Sequence, residues 1–382
     1  MKKIIQIFLF CSILITAALV GIFSQAAANE SSKEDIELKN KIGQMLIIGF
    51  RGTEINADSY ITKTIQELNI GGVVLCDKDM PSQGKLTRNI INPVQTRQLI
   101  SDLKKYSPTA LFVAVDAEGG YVNRLKAQSG FIKIPSAEEL GRGTPAKTET
   151  IGNLLGAELS ILGFNLNFAP VVDVNINPNN PVIGYLERSF SNDPKKVSIY
   201  AEKFINGLHN YNIATVIKHF PGHGSSTSDS HLGLVDITKT WTPQELIPYI
   251  YLLKNNYSDA IMTAHIMNTA IDPDYPATLS PIFINGLLRN VLGFKGLVIS
   301  DDMQMGAIAD NFGFEESIIR AINAGCDILI ISNNLQTYDE QIPYKAVDAI
   351  FKAVKNGQIS EEKINASYNK IINFKNYHGI KN

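Results

Sequence analysis

Near-continuous apolar runs punctuate this chain at MLIIGF (45–50), GGVVL (71–75), ALFVAV (110–115) and FNLNFAPV (164–171). They return at IATVI (213–217), AIMTA (260–264), GLVIS (296–300) and DILIIS (327–332), eight in all. Apart from Asn165 and Asn167 in the fourth, each is near-continuous rather than alternating, and so predicts a strand buried on both faces. Amphipathic stretches separate them, such as TETIGNLLGAELSIL (148–162) and PKKVSIYAEKFINGLHN (194–210). In the latter, the apolar residues at 197, 200, 201, 204 and 205 fall at helical spacing. Alternating strand and helix predicts a parallel sheet. Eight strands predict an α/β fold of the (β/α)8 TIM barrel type in a single domain, spanning 39–382. An open doubly wound sheet lacks its usual phosphate turn, because no Gly-x-Gly-x-x-Gly follows the first run. Beyond the eighth run, 340–357 and 360–377 read as helices, too little chain for a second domain.

The N-terminus has a different pattern. Lys2 and Lys3 precede an apolar run to Phe23, and small residues end at Ala26-Ala27-Ala28. That order predicts a secretory signal peptide over 1–28, and hence a periplasmic or secreted protein. The run approaches the ~20 residues that span a bilayer, so an uncleaved anchor is the alternative and the only route to membrane attachment. Polar residues 29–38 read as a short linker. Losing 1–28 removes Lys2 and Lys3 and no acid, moving the formal charge from −2 to −4. That balance, with no basic stripe, gives no footing for a nucleic-acid partner. Cys76 and Cys326 sit in separate apolar runs and read as buried thiols rather than a disulfide framework.

In such barrels the active site lies at the C-terminal ends of the strands. Asp116, Asp173, Lys218, His219, His265, Asp301 and Asp302 follow successive runs, and their convergence predicts a pocket. The richest stretch is KHFPGHGSSTSDSH (218–231), where Pro221, Gly222 and Gly224 exclude a helix and predict a long functional loop. Within it, Asp229-x-His231 places a carboxylate where it can fix an imidazole tautomer and raise its basicity. His219 and His223 have the spacing of metal ligands on a helix, but the intervening Phe-Pro-Gly forbids one, which weakens a metal-dependent reading.

KHFPGHG followed by DSH resembles the signature of glycoside hydrolase family 3, and within it the bacterial β-N-acetylglucosaminidases of the NagZ type. KIGQMLIIGFRG (41–52), VDAEGGYVNRL (115–125), LGFNLNFAPVVDVN (162–175), ERSF (187–190) and LGFKGLVISDDMQMGAI (292–308) are similar to its other segments, in order. The resemblance implies a retaining glycosidase acting on a β-linked GlcNAc carbohydrate, without cofactor, metal or obligate protein partner. It implies Asp301 as nucleophile, Asp302 as a neighbour turned elsewhere, and His231 as acid/base with Asp229 as its partner. Asp116, Arg124, Arg188, Lys218 and His219 match positions that hold sugar hydroxyls. Tyr121 stands where many relatives have Arg, and Ser225 where Asp is common, departures that bear on fine specificity. A β-glucosidase or β-xylosidase of the same family is the runner-up, and a non-catalytic sugar-binding envelope protein is the alternative of another class. His223 reads as loop-shaping, Met303 and Met305 as core filling, and His209 and His378 as surface residues. His265 reads equally as pocket or core.

Overall fold

A computed structural model describes residues 33–230, 233–335 and 337–382. The signal peptide read over 1–28 and the acid/base candidate His231 lie outside the described residues. Eight parallel strands close into a barrel, each paired with its sequence neighbours and the first with the last. They are β1 (Leu46–Gly49), β2 (Gly72–Leu75), β3 (Phe112–Val115) and β4 (Leu166–Asn167). β5 (Ala214–Phe220), β6 (Ala260–Thr263), β7 (Leu297–Asp302) and β8 (Ile328–Ile331) complete it. The closing register pairs Ile47 with both Gly72 and Ile330. Strand interiors are wholly buried, as the unbroken apolar runs require.

An outer ring of helices covers the strands: α1 (Tyr60–Leu68), α2 (Pro93–Tyr106), α3 (Pro145–Leu162) and α4 (Pro194–His209). It continues with α5 (Ile247–Lys254), the π-type α6 (Ile282–Val291), α7 (Phe314–Ala324) and α8 (Ile342–Lys355), and α9 (Glu361–Tyr377) follows. Local sequence explains the boundaries. Thr144 accepts from the Lys147 amide to cap α3, Pro145 takes the first turn, and Gly163 at φ 95° ends it. Among the described residues, no helix is long and apolar enough to cross a membrane.

Three local expectations change. The described part of the 29–38 linker is helical, continuing to residue 44. Leu38, Ile42 and Met45 recur at helical spacing and bury against the core, which outweighs the polar composition around them. β4 keeps only two ladder residues, because Pro170 has no N–H to give, and pairing resumes at Val171 with Lys218. β5 runs through Phe220, so Lys218 and His219 are strand residues rather than loop residues. Their burial is compensated by ionic partners, which apolar patterning does not reveal.

The base of the barrel is sealed by polar groups. Lys375 of α9 donates to Gln44 Oε1, Gly71 O and Ala110 O at 2.8, 2.9 and 2.7 Å. His209 and His378, expected at the surface, instead converge on the buried Asp259 below β6. Their Nε2 atoms stand 2.7 and 3.2 Å from its carboxylate. The Thr215 amide and hydroxyl each donate to it at 2.9 Å.

Candidate active site

A cavity of about 500 Å³ opens at the C-terminal ends of the strands. Asp116, Arg124, Arg188, Lys218, His219, Asp229, Asp301 and Asp302 line it, whereas Asp173 and His265, which also follow strands, do not. Strand tilt brings Asp116 beyond β3, Lys218 within β5 and Asp301 at the end of β7 to one mouth.

The floor is an ion-pair network. Lys218 Nζ lies 2.8 Å from Asp116 Oδ1 and 2.7 Å from Glu118 Oε1. Arg188 grips Glu118 through two parallel bonds, each 2.8 Å, the bidentate geometry of a guanidinium on a carboxylate. Arg124 stands 3.4 Å from the far oxygen of Asp116. Burial would raise the Asp116 carboxyl, but Lys218 and then Arg124 hold it well below its usual range. Glu118 is likewise held low by Arg188 and Lys218 against its burial. Burial would lower the Lys218 ammonium, and Asp116 and Glu118 more than offset it. These groups are therefore locked as charges rather than poised as proton carriers. Asp116 is legible from its place at a strand end, whereas Glu118, two residues further on, is not. Three cations at one mouth, Arg124, Arg188 and Lys218, exceed what Asp116 alone can balance, and that surplus points to Glu118.

His219 is fixed by its neighbours. Its Nδ1 lies 2.7 Å from Asp173 Oδ2 and its Nε2 3.3 Å from the Arg188 guanidinium. Burial, with Arg188 and Lys218 beside it, pushes the imidazole well below its ordinary pKa. The ring is therefore neutral, donating from Nδ1 to Asp173 and turning a lone pair toward Arg188. Asp173 also accepts the amides of His219 and His223, at 3.2 and 2.8 Å, and so ties the base of the following loop to β4.

The two acids ending β7 divide. Asp302 is buried, its carboxylate accepting from the Ser332 hydroxyl, the Ser332 amide and the Gln304 amide. Burial pushes its carboxyl up to about 6. Asp301 is only half-buried and faces the cavity, with its Oδ1 accepting the Asp302 amide at 2.8 Å. His265 proves to be a core group, bonded to Thr278 Oγ1 and the Asp302 carbonyl, so it holds the β7 terminus without lining the cavity.

Asp229 reaches the cavity from the loop after β5. His223 shapes that loop, its Nδ1 2.7 Å from Ser226 Oγ and its Nε2 3.1 Å from Ser230 Oγ. Gly224 is obligatory, since a Cβ there would lie 1.7 Å from Val174 O. Tyr121 lines the cavity as an exposed ring, whereas Ser225 is buried behind the loop, away from the lining residues. Met303 is buried in the core, and Met305 is buried while touching the cavity wall. Among the described residues, no group of three or more His, Cys, Asp or Glu is arranged to hold a metal ion. Cys76 and Cys326 are both buried and unbonded to one another.

A closed parallel barrel that gathers ion pairs and carboxylates at its strand ends is joined by the comparisons with known proteins, and together they make this chain a glycoside hydrolase. The chain belongs to glycosyl hydrolase family 3, whose N-terminal domain model matches residues 37–374. A β-hexosaminidase of Tolumonas auensis is 35% identical over 295 residues, covering 76% of this chain and 83% of that one. One of Photobacterium profundum is 36% identical, covering 76% and 82%. A solved family 3 β-N-acetylglucosaminidase from a Paenibacillus species superposes with a TM-score of 0.81 at 33% identity. It matches 90% of this chain, which spans only 62% of that longer chain. A β-N-acetylhexosaminidase of Beutenbergia cavernae superposes at 0.78 with 28% identity, covering 89% of this chain and 98% of its own.

Proposed function

We propose that this enzyme is a retaining β-N-acetylglucosaminidase that forms a covalent glycosyl-enzyme on Asp301. One observation carries the assignment. Both acids ending β7 line the cavity, but Asp302 is buried with its oxygens taken by Ser332 and Gln304, whereas Asp301 is the more exposed of the two. In the double displacement, Asp301 attacks the anomeric carbon as the glycosidic bond breaks. Water then releases the sugar with net retention.

Most retaining glycosidases pair the nucleophile with a second carboxyl group about 5 Å away as acid/base. Here the loop after β5 supplies Asp229 to the cavity, and the Asp229-x-His231 pattern supports His231 as the proton carrier with Asp229 tuning it. His231 protonates the leaving oxygen, then removes a proton from the incoming water. Asp116, Arg124, Arg188, Lys218 and His219 bind the terminal sugar hydroxyls. The names of the relatives support GlcNAc as that sugar. Comparing hydrolysis of aryl β-GlcNAc with aryl β-glucoside tests it, and a preference for the glucoside overturns it.

The basic start, apolar run and Ala26-Ala27-Ala28 support export to the periplasm or beyond. There the substrates within reach are GlcNAc-terminated peptidoglycan fragments or chitin oligosaccharides. N-terminal sequencing of the mature protein checks this, since Asn29 as the first residue is the expected result.

A further inference from the structure

We infer that Glu245 is a positioning residue for this reaction, seating the loop that carries Asp229 by holding its first turn from behind. The inference rests on the reading of that loop as the acid/base carrier.

Glu245 stands on the short 3-10 turn Pro243–Leu246 that leads into α5, outside the barrel wall and away from the cavity lining. It is fully buried, an uncommon place for a lone carboxyl group. Its Oε2 accepts the Gly224 amide at 2.9 Å. The preceding amide, that of His223, goes to Asp173 at 2.8 Å. Two buried carboxyl groups from different elements thus take consecutive amides at the base of the loop. Gly222, at φ 122°, is packed so tightly on this side chain that a Cβ would lie 2.5 Å from Glu245 Cβ and 2.8 Å from its Oε2. Trp241 adds a third hold, its indole N–H donating to Pro221 O at 3.2 Å. The chain leaves this clamp and reaches Asp229 five residues after Gly224.

No cation lies beside Glu245 among the described residues, so packing alone does not account for a carboxyl group there. Among the described residues its Oε1 makes no hydrogen bond, and neither does the buried hydroxyl of Ser225 or of Tyr249 nearby. An apolar residue at 245 would avoid that cost but would orphan the Gly224 amide. Burial pushes the Glu245 carboxyl up to about 7, opposed by neighbouring Ser225 and the Gly224 amide and reinforced by Asp173. A neutral amide is therefore a close mimic of its protonated form. Glu245→Gln keeps an oxygen for Gly224, whereas Glu245→Ala removes it and opens a cavity. Glu245→Asp keeps the acid but shortens its reach.

The experiment compares wild type, Glu245→Gln, Glu245→Ala, Glu245→Asp and His231→Ala on two aryl β-GlcNAc substrates. One has an acidic phenol that leaves unaided, and the other a basic phenol that needs a proton. Glu245→Ala is expected to lose kcat/KM at least about tenfold more on the basic phenol than on the acidic one. Inhibition by free GlcNAc should change little, because the sugar-binding floor is untouched. Glu245→Gln is expected to stay near wild type, and Glu245→Asp to follow the alanine variant, which keeps the test available if alanine prevents folding. Equal losses on both phenols in Glu245→Ala and Glu245→Asp, or a glutamine variant as damaged as they are, overturn the inference. His231→Ala separates the two levels. If it discriminates between phenols while the Glu245 variants do not, only the role of Glu245 fails. If it does not discriminate, the acid/base reading fails and this inference with it.

Discussion

The Asp302 amide donates to Asp301 Oδ1 at 2.8 Å while the Asp302 side chain turns away to Ser332. Adjacent residues at a strand end point to opposite faces, so one pleat leaves Asp301 the more exposed at the cavity and buries the Asp302 carboxylate against Ser332. His265 holds the Asp302 carbonyl from below at 2.9 Å, so the division is anchored in the core.

This relationship sets the first expectation. Asp301→Asn should remove nearly all turnover, because an amide cannot form the glycosyl ester. Asp302→Asn can keep its oxygen on the Ser332 and Gln304 amides and donate to the Ser332 hydroxyl. Exchanged hydrogen bonds of about 1 kcal/mol keep its loss within roughly tenfold. Steady-state kinetics on an aryl β-GlcNAc decide, and the reverse order moves the nucleophile by one residue. NMR of the first product should show the β-anomer, and an α-anomer excludes double displacement.

The acid/base role has its own signature. His231→Ala should slow disaccharides by about 10² to 10⁴ while sparing aryl glycosides with acidic phenols. On those activated substrates the glycosyl-enzyme should accumulate and give a burst, since the second step has lost its base. Asp229→Ala should show the same pattern more weakly, because the imidazole remains. Equal losses with no burst would make His231 a binding or structural residue.

The buried floor predicts an asymmetric response to substitution. Lys218→Met leaves Asp116 and Glu118 without their shared cation, and Glu118→Gln leaves Arg188 and Lys218 short of an anion. Breaking one partner of a buried pair costs about 3–5 kcal/mol. Lys218→Met should therefore lower stability by that order as well as abolish sugar binding. Denaturant melts and the inhibition constant for GlcNAc are the measurements, and a stable variant with intact binding would dissolve the network argument.

Asp259, far from the cavity, sets a pH dependence of stability. Burial would raise its carboxyl, but His209, hydrogen-bonded to it, and then His378, at ion-pair distance, hold it below its ordinary value of 3.8. A carboxyl lowered in the folded state contributes stability that is complete above its unfolded pKa and is lost as pH falls below it. Asp259→Asn should cost about 1–3 kcal/mol at neutral pH. It should also flatten the fall in thermal stability below pH 3.8 relative to wild type. Parallel slopes for the two proteins in acid would show that Asp259 is not the group responsible.

Much of this protein can be read directly from its residues. Unbroken apolar runs can be buried only by a parallel sheet covered on both sides, so eight of them with helices between determine the barrel. Barrel topology in turn places Asp116, Lys218 and Asp301 at one end, and a loop broken by Pro221 and Gly222 identifies itself as irregular. What patterning does not carry is which polar residues meet. The choice between Asp301 and Asp302 depends on one pleat and on Ser332, thirty residues downstream of Asp302. Glu118 and Asp173 acquire their roles only when Lys218 and His219 arrive from β5 and Arg188 from the segment after β4. His209 and His378, polar residues at helix ends, turn inward because Asp259 waits below the sheet for donors. Hydrophobic burial is a one-body property that each segment announces alone. Compensation of buried charge is a pairwise property between segments distant in sequence, and only the closed barrel decides it.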